Sequence, residues 1–532
     1  MQQKVQDAAA RAFPAGGAAI TLGAVIHEGA ADPHPVVRVP LAMLNRHGLI
    51  AGATGTGKTK TLQLIAEQLS AQGVAVFLAD IKGDVSGVAA PGQSNDRVAT
   101  RAKETGYEWK PAGCPVEFLS LTGAKGAQLR ATVSSFGPLL LAKVLDLNDT
   151  QASVLTMVFK YCDDKGLLLL DFSDLRAVLQ YLSDDGADEL KAYGGMSKQT
   201  VGVLLREMIE LESQGAKEFF GEPEFALTDL IRTAPDGRGV VSVLELSDVQ
   251  DKPALFSTFL LWMLARLYHD LPEMGDLPKP KLVFFFDEAH LLFRGANKAL
   301  LEQIDQVVRL IRSKGVGVYF VTQSPKDVPA NVLAQLGNRV QHALRAFTED
   351  DQKALAAAAR TFPKTEFYDI EETLTTLGIG EAFVTVLSEN GAPTPPFATR
   401  LIPPGSRMAP LTDDEMKAAL AASAQVQKYA QDIDRESARE MLEARHAATV
   451  PAPAPAAPSW GGSPMPKADP GAGFPTRQAP PTGGGRMAGK PQPSAFEQVL
   501  KSPMARSVAT QLTRGLMGAL LGAAGLSARR RR

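Results

Sequence analysis

Residues 48–73 read GLIAGATGTGKTKTLQLIAEQLSAQG, which is an apolar segment, a glycine-rich loop and a helical pattern in succession. Small and apolar residues at 48–51 predict a short buried strand, and the apolar residues at 62, 65, 66 and 69 recur at helical spacing. Gly73 is expected to end that helix. A glycine loop between a strand and a helix turns its backbone N–H groups inward at the start of the helix, an arrangement that binds phosphate groups.

The loop carries the side chains expected for a nucleoside triphosphate. Lys58 would place a positive charge on the β- and γ-phosphates, and the Thr59 hydroxyl would bind Mg²⁺. The alternative is a chance match in a glycine-rich turn, since the chain has 47 glycines. The flanking strand and helix favour ATP and Mg²⁺ binding. The residues predicted to contact the nucleotide are Gly52, Ala53, Thr54, Gly55, Thr56, Gly57, Lys58, Thr59 and Lys60.

A pair of acidic residues, the second candidate part of the catalytic site, follows the apolar segment LVFFF at residues 282–286. Asp287 would join Thr59 in holding Mg²⁺, and Glu288 would polarise the attacking water as general base. The alternative, a buried strand followed by a solvated acidic turn, is disfavoured by the glycine loop. Residues 287–290 spell DEAH, but the spacing to the glycine loop and the missing arginine motif argue against the DEAH-box helicases.

Polar residues near a further apolar segment, 316–322, complete the candidate catalytic set. Gln323 follows this segment and is a candidate sensor of the γ-phosphate, or else a plain strand-end cap. Arg309 and Arg312 precede it and are candidates for an arginine finger, which contributes about 10³–10⁵ in rate. Cations at a solvated helix end are the alternative. The predicted catalytic residues are Glu288, Lys58, Gln323 and Arg312.

Strand and helix patterns alternate along most of the chain, which predicts an α/β fold of the RecA-like P-loop type with a mainly parallel sheet. A largely helical insertion is expected at about residues 100–235. The expected domains are a short extension at 1–35, the ATPase domain at 36–405 and a helix at 406–450. A Pro/Gly-rich linker at 451–493 and a basic amphipathic tail at 494–532 follow.

Amino-acid composition constrains the function and the location of the protein less than the motifs do. The 532-residue chain has a formal net charge of −2, so a nucleic-acid partner would need a local basic surface. The two cysteines, Cys114 and Cys162, are expected to be reduced thiols. The first residues lack a signal-peptide pattern, and no apolar run reaches the roughly 20 residues of a membrane span. We therefore expect a cytoplasmic protein.

Together these motifs resemble the HerA/FtsK superfamily of hexameric ATPases, in particular the HerA-like bacterial proteins. The resemblance covers roughly residues 20–405 and includes NRHGLIA at 45–51, DIKGD at 80–84, LDLNDTQ at 145–151, FFFDEAH at 284–290 and TQSP at 322–325. It implies that Arg312 acts across a subunit boundary and that Arg46 lies near the nucleotide. Residues 1–35 are too short for the N-terminal β-barrel of HerA proteins, which puts the HerA nuclease partner in doubt.

The function implied is a Mg²⁺-dependent, ATP-hydrolysing ring motor, a homo-hexamer that acts on DNA as a translocase or helicase. The alternative is an ATPase that remodels a protein or a membrane-associated target, with no nucleic-acid activity. A small-molecule kinase or ABC-type ATPase is less consistent, because the chain has no LSGGQ signature. The basic tail is a candidate contact for an anionic membrane, nucleic acid or a partner protein.

Overall fold

The computed structural model describes residues 2–294, 298–388, 390–431, 433 and 435–449, so the expected linker at 451–493 and tail at 494–532 lie outside the described residues. The strands are β1 (Ala19–His27), β2 (Ala30–Pro40), β3 (Gly48–Ala51), β4 (Ala75–Asp80), β5 (Val116–Ser120), β6 (Ala127–Gln128), β7 (Val241–Glu245), β8 (Leu282–Phe286), β9 (Val316–Thr322), β10 (Asn338–His342), β11 (Glu381–Thr385) and β12 (Phe397–Leu401). The helices are α1 (Gln2–Ala12), α2 (Lys58–Ala71), α3 (Asp96–Thr105), α4 (Val133–Val144), α5 (Asp149–Lys165), α6 (Phe172–Ser183), α7 (Ala187–Leu190), α8 (Lys198–Leu211), α9 (Lys217–Phe219), α10 (Pro253–Asp270), α11 (His290–Phe293), α12 (Lys298–Ile311), α13 (Ala330–Leu333), α14 (Glu349–Ala359), α15 (Ile370–Thr376), α16 (Asp413–Ala422), α17 (Ala424–Tyr429) and α18 (Ala438–Thr449).

All of these strands join one sheet in the order β2-β1-β12-β11-β10-β3-β9-β8-β4-β7-β5-β6. The run from β10 to β6 is parallel throughout. The pairs from β10 through β11, β12 and β1 to β2 are antiparallel. The predicted α/β fold with a mainly parallel sheet is confirmed.

The central strands are buried on both faces, which explains why their sequences are continuously apolar. In β4, Phe77 packs on one face with Phe284 of β8, and their ring centroids are 5.0 Å apart. Val76 points to the other face and packs with Phe285 and with Leu62 of α2. The helical insertion covers the first of these faces.

The N-terminal residues do not form a separate extension. β1 pairs with β12 and β2 pairs with β1, so residues 19–40 belong to the sheet, and α1 buries Val5 and Ala9 in the same core. The sequence AITLGAV at residues 19–25 predicts a strand, which is present as β1, whereas α1 is not expected from the sequence. Antiparallel pairing with β12 depends on chain segments far apart in sequence, which a local pattern does not reveal.

Two other expected boundaries also differ from the structure. Residues 100–235 include β5 and β6, which pair in the sheet, and the insertion helices run from α4 to α9. The described part of the segment 406–450 holds three helices rather than one, and the first break arises because Ser423 ends α16 in an extended conformation and caps Val426 N of α17. Within the described residues, no helix is long and apolar enough to cross a membrane.

The sheet order brings the predicted functional segments to one edge. Because β3, β9, β8 and β4 are parallel neighbours, their carboxyl ends meet there. The glycine loop follows β3, Gln323 follows β9, and Asp287 follows β8. Strand β9 separates β3 from β8. The site is therefore assembled by the order of the strands and not by closeness in sequence.

Candidate functional site

The glycine loop is held open by its backbone conformation and by three neighbouring strands. Gly52 has φ 155° and Gly57 has φ 115°. A Cβ atom at Gly52 would lie 2.5 Å from Cβ of His342, so the position has no room for a side chain. Gly52 N donates to Thr322 O at 3.2 Å, at the end of β9. Ala53 N donates to the carbonyl of residue 343 after β10, and Thr56 O accepts from residue 380 before β11. These bonds fix the loop against the sheet.

Lys58 and Thr59 occupy the first turn of α2, directly after the loop. Lys58 is only 7% exposed, and its Nζ donates to Ala53 O at 3.1 Å. Burial lowers the pKa of the Lys58 ammonium, and the charge of Glu288 opposes that shift. The Lys58 ammonium therefore lies inside the glycine loop, close enough to Glu288 and Asp287, the two acids after β8, for their charges to oppose the lowering of its pKa.

Asp287 directly follows the buried strand β8 and is 2% exposed. Its Oδ1 accepts a hydrogen bond from Glu288 N at 2.9 Å, while Oδ2 has no hydrogen-bond partner in the structure. Burial, together with the neighbouring charge of Glu288, raises the pKa of Asp287 to about 7. An unpaired buried carboxylate oxygen is costly in isolation and fits a cation ligand.

Glu288 is oriented by groups from two other segments. Its backbone has φ 47°, which is unusual for a non-glycine residue. Oε1 forms an ion pair with Lys82 Nζ, and Oε2 lies 3.2 Å from Nδ1 of His290. Burial would raise the pKa of Glu288, but the hydrogen bond and charge of Lys82 outweigh burial and hold this pKa below its usual value.

Lys82 is a site residue that the sequence analysis did not single out. It lies in the turn after β4, and Asp80 fixes that turn by accepting bonds from Gly83 N and Val85 N, both at 2.8 Å. The available signal was its place in the DIKGD segment after a buried strand. Its contact with Glu288 requires knowing that β4 and β8 are neighbours.

Gln323 extends from the end of β9, next to β8, and lies close enough to Glu288 to lower its pKa. Asp327 holds the segment that carries it. Asp327 Oδ2 accepts from Thr322 Oγ1 at 2.7 Å and from Ser324 N at 2.9 Å. The residues on either side of Gln323 are therefore fixed by one carboxylate.

The predicted arginines lie at the opposite edge of the sheet. Arg46 precedes β3 and Arg312 precedes β9, so both lie at the amino ends of strands whose carboxyl ends carry the site. Each is paired with Asp276, at 3.6 Å for Arg46 and 3.7 Å for Arg312. Arg309 pairs with Asp305 on its own helix at 3.0 Å. The fold does not bring Arg46 or Arg312 to the glycine loop of the same chain.

The candidate site offers few side-chain oxygens that could bind Mg²⁺. The Thr59 hydroxyl and Asp287 Oδ2 are the candidates, and no cluster of three or more His, Cys, Asp or Glu side chains suited to a metal occurs in the described ranges. Mg²⁺ is commonly bound by one or two carboxylates together with substrate phosphates and water. The side chains therefore fit Mg²⁺ that arrives with a polyphosphate.

A family model described as "Helicase HerA-like C-terminal" matches residues 26–532. The chain belongs to this family. The relatives include proteins named "DNA double-strand break repair helicase HerA" from Sulfurisphaera tokodaii, 24% identical over 65% of this HerA-like chain, and from Saccharolobus solfataricus, 23% identical over 65% of it. The HerA-like chain spans 64% and 63% of the length of these two relatives.

The HerA/FtsK resemblance drawn from the motifs is confirmed at the level of the family. A solved structure of the bacterial conjugative coupling protein TrwB aligns with a TM-score of 0.47 and 14% identity, over 75% of this chain and 92% of that chain.

Proposed function

We propose that this HerA-like chain is a Mg²⁺-dependent ATPase that drives a ring-shaped motor. The observation that carries the proposal is the meeting of Lys58, Glu288 and Gln323 at one sheet edge, where the charge of Glu288 acts on the pKa of Lys58 and the side chain of Gln323 hydrogen-bonds Glu288. A phosphate loop facing a buried acid pair is suited to phosphoryl transfer to water.

Each group has a role in this reaction. The loop N–H groups and Lys58 hold the β- and γ-phosphates, and Glu288 polarises the attacking water while Gln323 orients it. Thr59 and Asp287 supply the oxygen ligands that Mg²⁺ prefers, and the bound ion offsets the negative charge of the phosphates. Asp287 must be ionised to do so, so its raised pKa makes it a poor ligand in acid.

DNA is the proposed substrate of the motor. Relatives bearing the name "DNA double-strand break repair helicase HerA" support this. So does a cleft of about 970 Å³ that adjoins Gln323 and the glycine loop, where the exposed side chains of Arg294, Lys326 and Arg345 outnumber the two acids of the lining, Asp327 and Asp351. The chain as a whole is slightly acidic, so this small excess of basic side chains is local.

Assembly into a homo-hexameric ring is proposed on the position of the arginines. Arg46 and Arg312 lie together at the sheet edge opposite the glycine loop. A head-to-tail neighbour would bring that edge toward the next subunit's nucleotide, and repeated contacts of this type close into a ring. Arg312 would then act as the arginine finger, with Arg46 beside the same nucleotide.

The test is the ATPase rate with and without duplex DNA. Lys58→Ala should abolish ATP binding, whereas Glu288→Gln should bind ATP and hydrolyse it about 10²-fold more slowly or worse, because only the base is lost. Glu371→Gln, an exposed acid on α15, is the matched control and should behave as the parent. Parental turnover by Glu288→Gln would contradict the assigned base. Hydrolysis indifferent to DNA would favour a protein or membrane-associated target.

A further inference from the structure

His290 begins the short helix α11, two residues after the general base Glu288, and takes no part in the proposed hydrolysis. Its Nδ1 lies 3.2 Å from Glu288 Oε2, and its side chain is 27% exposed. The exposed part lines the cleft of about 970 Å³ that adjoins Gln323. One edge of the imidazole therefore contacts the buried base, while another faces the surface proposed to contact DNA.

The backbone around His290 is fixed. Ala289 N donates to Val321 O of β9 at 2.8 Å, and Arg294 N donates to His290 O at 2.9 Å. Because the backbone is held on both sides, the imidazole changes position by rotation about its own side-chain bonds. His290 can therefore exchange one partner for another while β8 and β9 stay in place.

The two carboxylate oxygens of Glu288 are held by different contacts. Oε1 forms the ion pair with Lys82, whereas Oε2 is buried beside His290 and has no hydrogen-bond partner in the described part of the chain. The contact between Oε2 and His290 is thus electrostatic and not a formed hydrogen bond. Such a contact is weaker than a charge-assisted hydrogen bond, so another anion can replace it.

The cleft contains the cations that would bring such an anion to His290. Arg294 directly follows α11, while Lys326 and Arg345 reach the same cleft from other segments, and all three are exposed. Phosphate groups of DNA are bound mainly by side chains of this kind. An imidazole N–H is a hydrogen-bond donor, so a phosphate in the cleft competes with Glu288 for it.

We propose that His290 is a positioning residue that couples the presence of DNA in the cleft to the freedom of the general base. The inference rests on the proposed ATPase function and on DNA as its substrate. Without DNA, the imidazole stays beside Glu288 Oε2 and restrains the carboxylate. With DNA, the imidazole turns to a phosphate and Oε2 is released. Glu288 then accepts the proton of the attacking water more readily, as the water oxygen bonds to the γ-phosphorus and ADP leaves.

Steady-state ATPase assays of the full chain, with and without duplex DNA, test this inference through the ratio of the two rates. His290→Ala removes the imidazole from Glu288 and from the cleft, so the rate without DNA should rise about threefold and the ratio should fall to about one. His290→Asn keeps an N–H donor near the position of Nδ1 but does not extend as far. Its rate without DNA should lie between those of the parent and His290→Ala, and its ratio should also fall.

His269→Ala is the matched control. Nδ1 of His269 also lies near a carboxylate, at 3.0 Å from Asp270, but this side chain is 85% exposed on α10 and outside the cleft. Both rates of this variant should equal those of the parent.

Two further measurements separate coupling from other losses. Affinity of His290→Ala for duplex DNA should stay within about twofold of the parent, because Arg294, Lys326 and Arg345 remain. When Glu288→Gln is already present, adding His290→Ala should not raise the rate, since the imidazole acts through the Glu288 carboxylate. A larger loss of DNA affinity would make His290 a DNA ligand and not a coupling residue, and a raised rate in the double variant would place its action elsewhere.

The remaining outcomes separate the inference from the function beneath it. An unchanged ratio in His290→Ala, or a rate without DNA below that of the parent, would overturn the role of His290 and leave the ATPase and DNA proposals intact. A parent chain that hydrolyses ATP equally fast with and without DNA would remove the DNA proposal and this inference with it. A parent chain without ATPase activity would remove all three.

Discussion

Lys82 Nζ and Glu288 Oε1 form an ion pair between the ends of the neighbouring strands β4 and β8. Glu288 is almost fully buried, and the pair keeps its carboxylate ionised where burial would favour the protonated form. The same ion pair occupies Oε1 of Glu288, the carboxylate that is proposed to polarise the attacking water. Lys82 therefore sets how strong and how available that base is.

Replacing Lys82 with methionine should raise the DNA-independent ATPase rate about threefold, since Glu288 becomes a stronger base when its Oε1 is released from the ion pair. ATP affinity should stay within about twofold, because Lys58 and the loop N–H groups are untouched. Steady-state hydrolysis and nucleotide titration measure the two quantities. Lys125→Met is the control, since Lys125 lies at the same sheet edge and bonds Ser247 instead. A lower basal rate with unchanged ATP binding would mean that Lys82 positions the base and does not restrain it.

The glycine loop and the acid pair could be predicted from sequence because each is contiguous and follows an apolar strand. The Lys82–Glu288 contact could not, because it depends on β4 lying next to β8 after a long intervening stretch of chain. The pairing of β1 with β12 was missed for the same reason. The apolar residues at 382–387 predict a strand, but the antiparallel pairing of β11 with β10 is not visible in a local pattern.

Asp327 offers a way to disturb Gln323 without altering it. Asp327→Ala removes the acceptor for the Thr322 hydroxyl and for Ser324 N, so both residues that flank Gln323 lose a hydrogen bond. We expect the turnover rate to fall about tenfold with ATP affinity unchanged, and Asp327→Asn to retain more activity. Combining Asp327→Ala with Gln323→Ala should cost little more than Gln323→Ala alone, since the two changes act through one side chain. Additive losses in single-turnover assays would show that Asp327 acts independently of Gln323.

The ring proposal predicts complementation between two inactive variants. Arg312→Ala subunits keep Glu288, and Glu288→Gln subunits keep Arg312, so a mixed ring contains some interfaces with both groups intact. Mixtures should therefore hydrolyse ATP faster than either variant alone, with a maximum near equal amounts. Arg309→Ala is the control, because that arginine pairs with Asp305 on its own helix. Full activity of a monomer at every protein concentration would exclude the shared site.

His342 is a buried histidine beside the helix that follows the glycine loop, and its protonation affects the stability of the folded chain in acid. It ends β10, is fully buried, and its Nε2 lies 2.9 Å from Oγ1 of Thr61 in α2. Burial lowers the pKa of His342 to about 4, with a smaller contribution from the charge of Lys58. The folded chain therefore resists protonation at a position where the unfolded chain accepts a proton near pH 6.5.

The contribution of His342 to the free energy of unfolding should consequently fall as the pH decreases from about 6.5 toward 4, while Asp287 and Glu245, whose pKa values burial raises to about 7, contribute in the opposite direction. His342→Gln should lower stability at pH 7.5, where a well-packed side chain is lost, and should remove the His342 contribution, so that acidification from about pH 6.5 to 5 is less unfavourable to the variant than to the parent. Urea unfolding at pH 7.5, 6.5 and 5 compares the slopes, with His269→Gln as the control, since the side chain of His269 is 85% exposed. His47 has a pKa lowered to about 4 by burial as well, and its contribution should be the same in the parent and in His342→Gln. Identical slopes for the parent and His342→Gln would show that His342 accepts a proton equally well in the folded and unfolded chains.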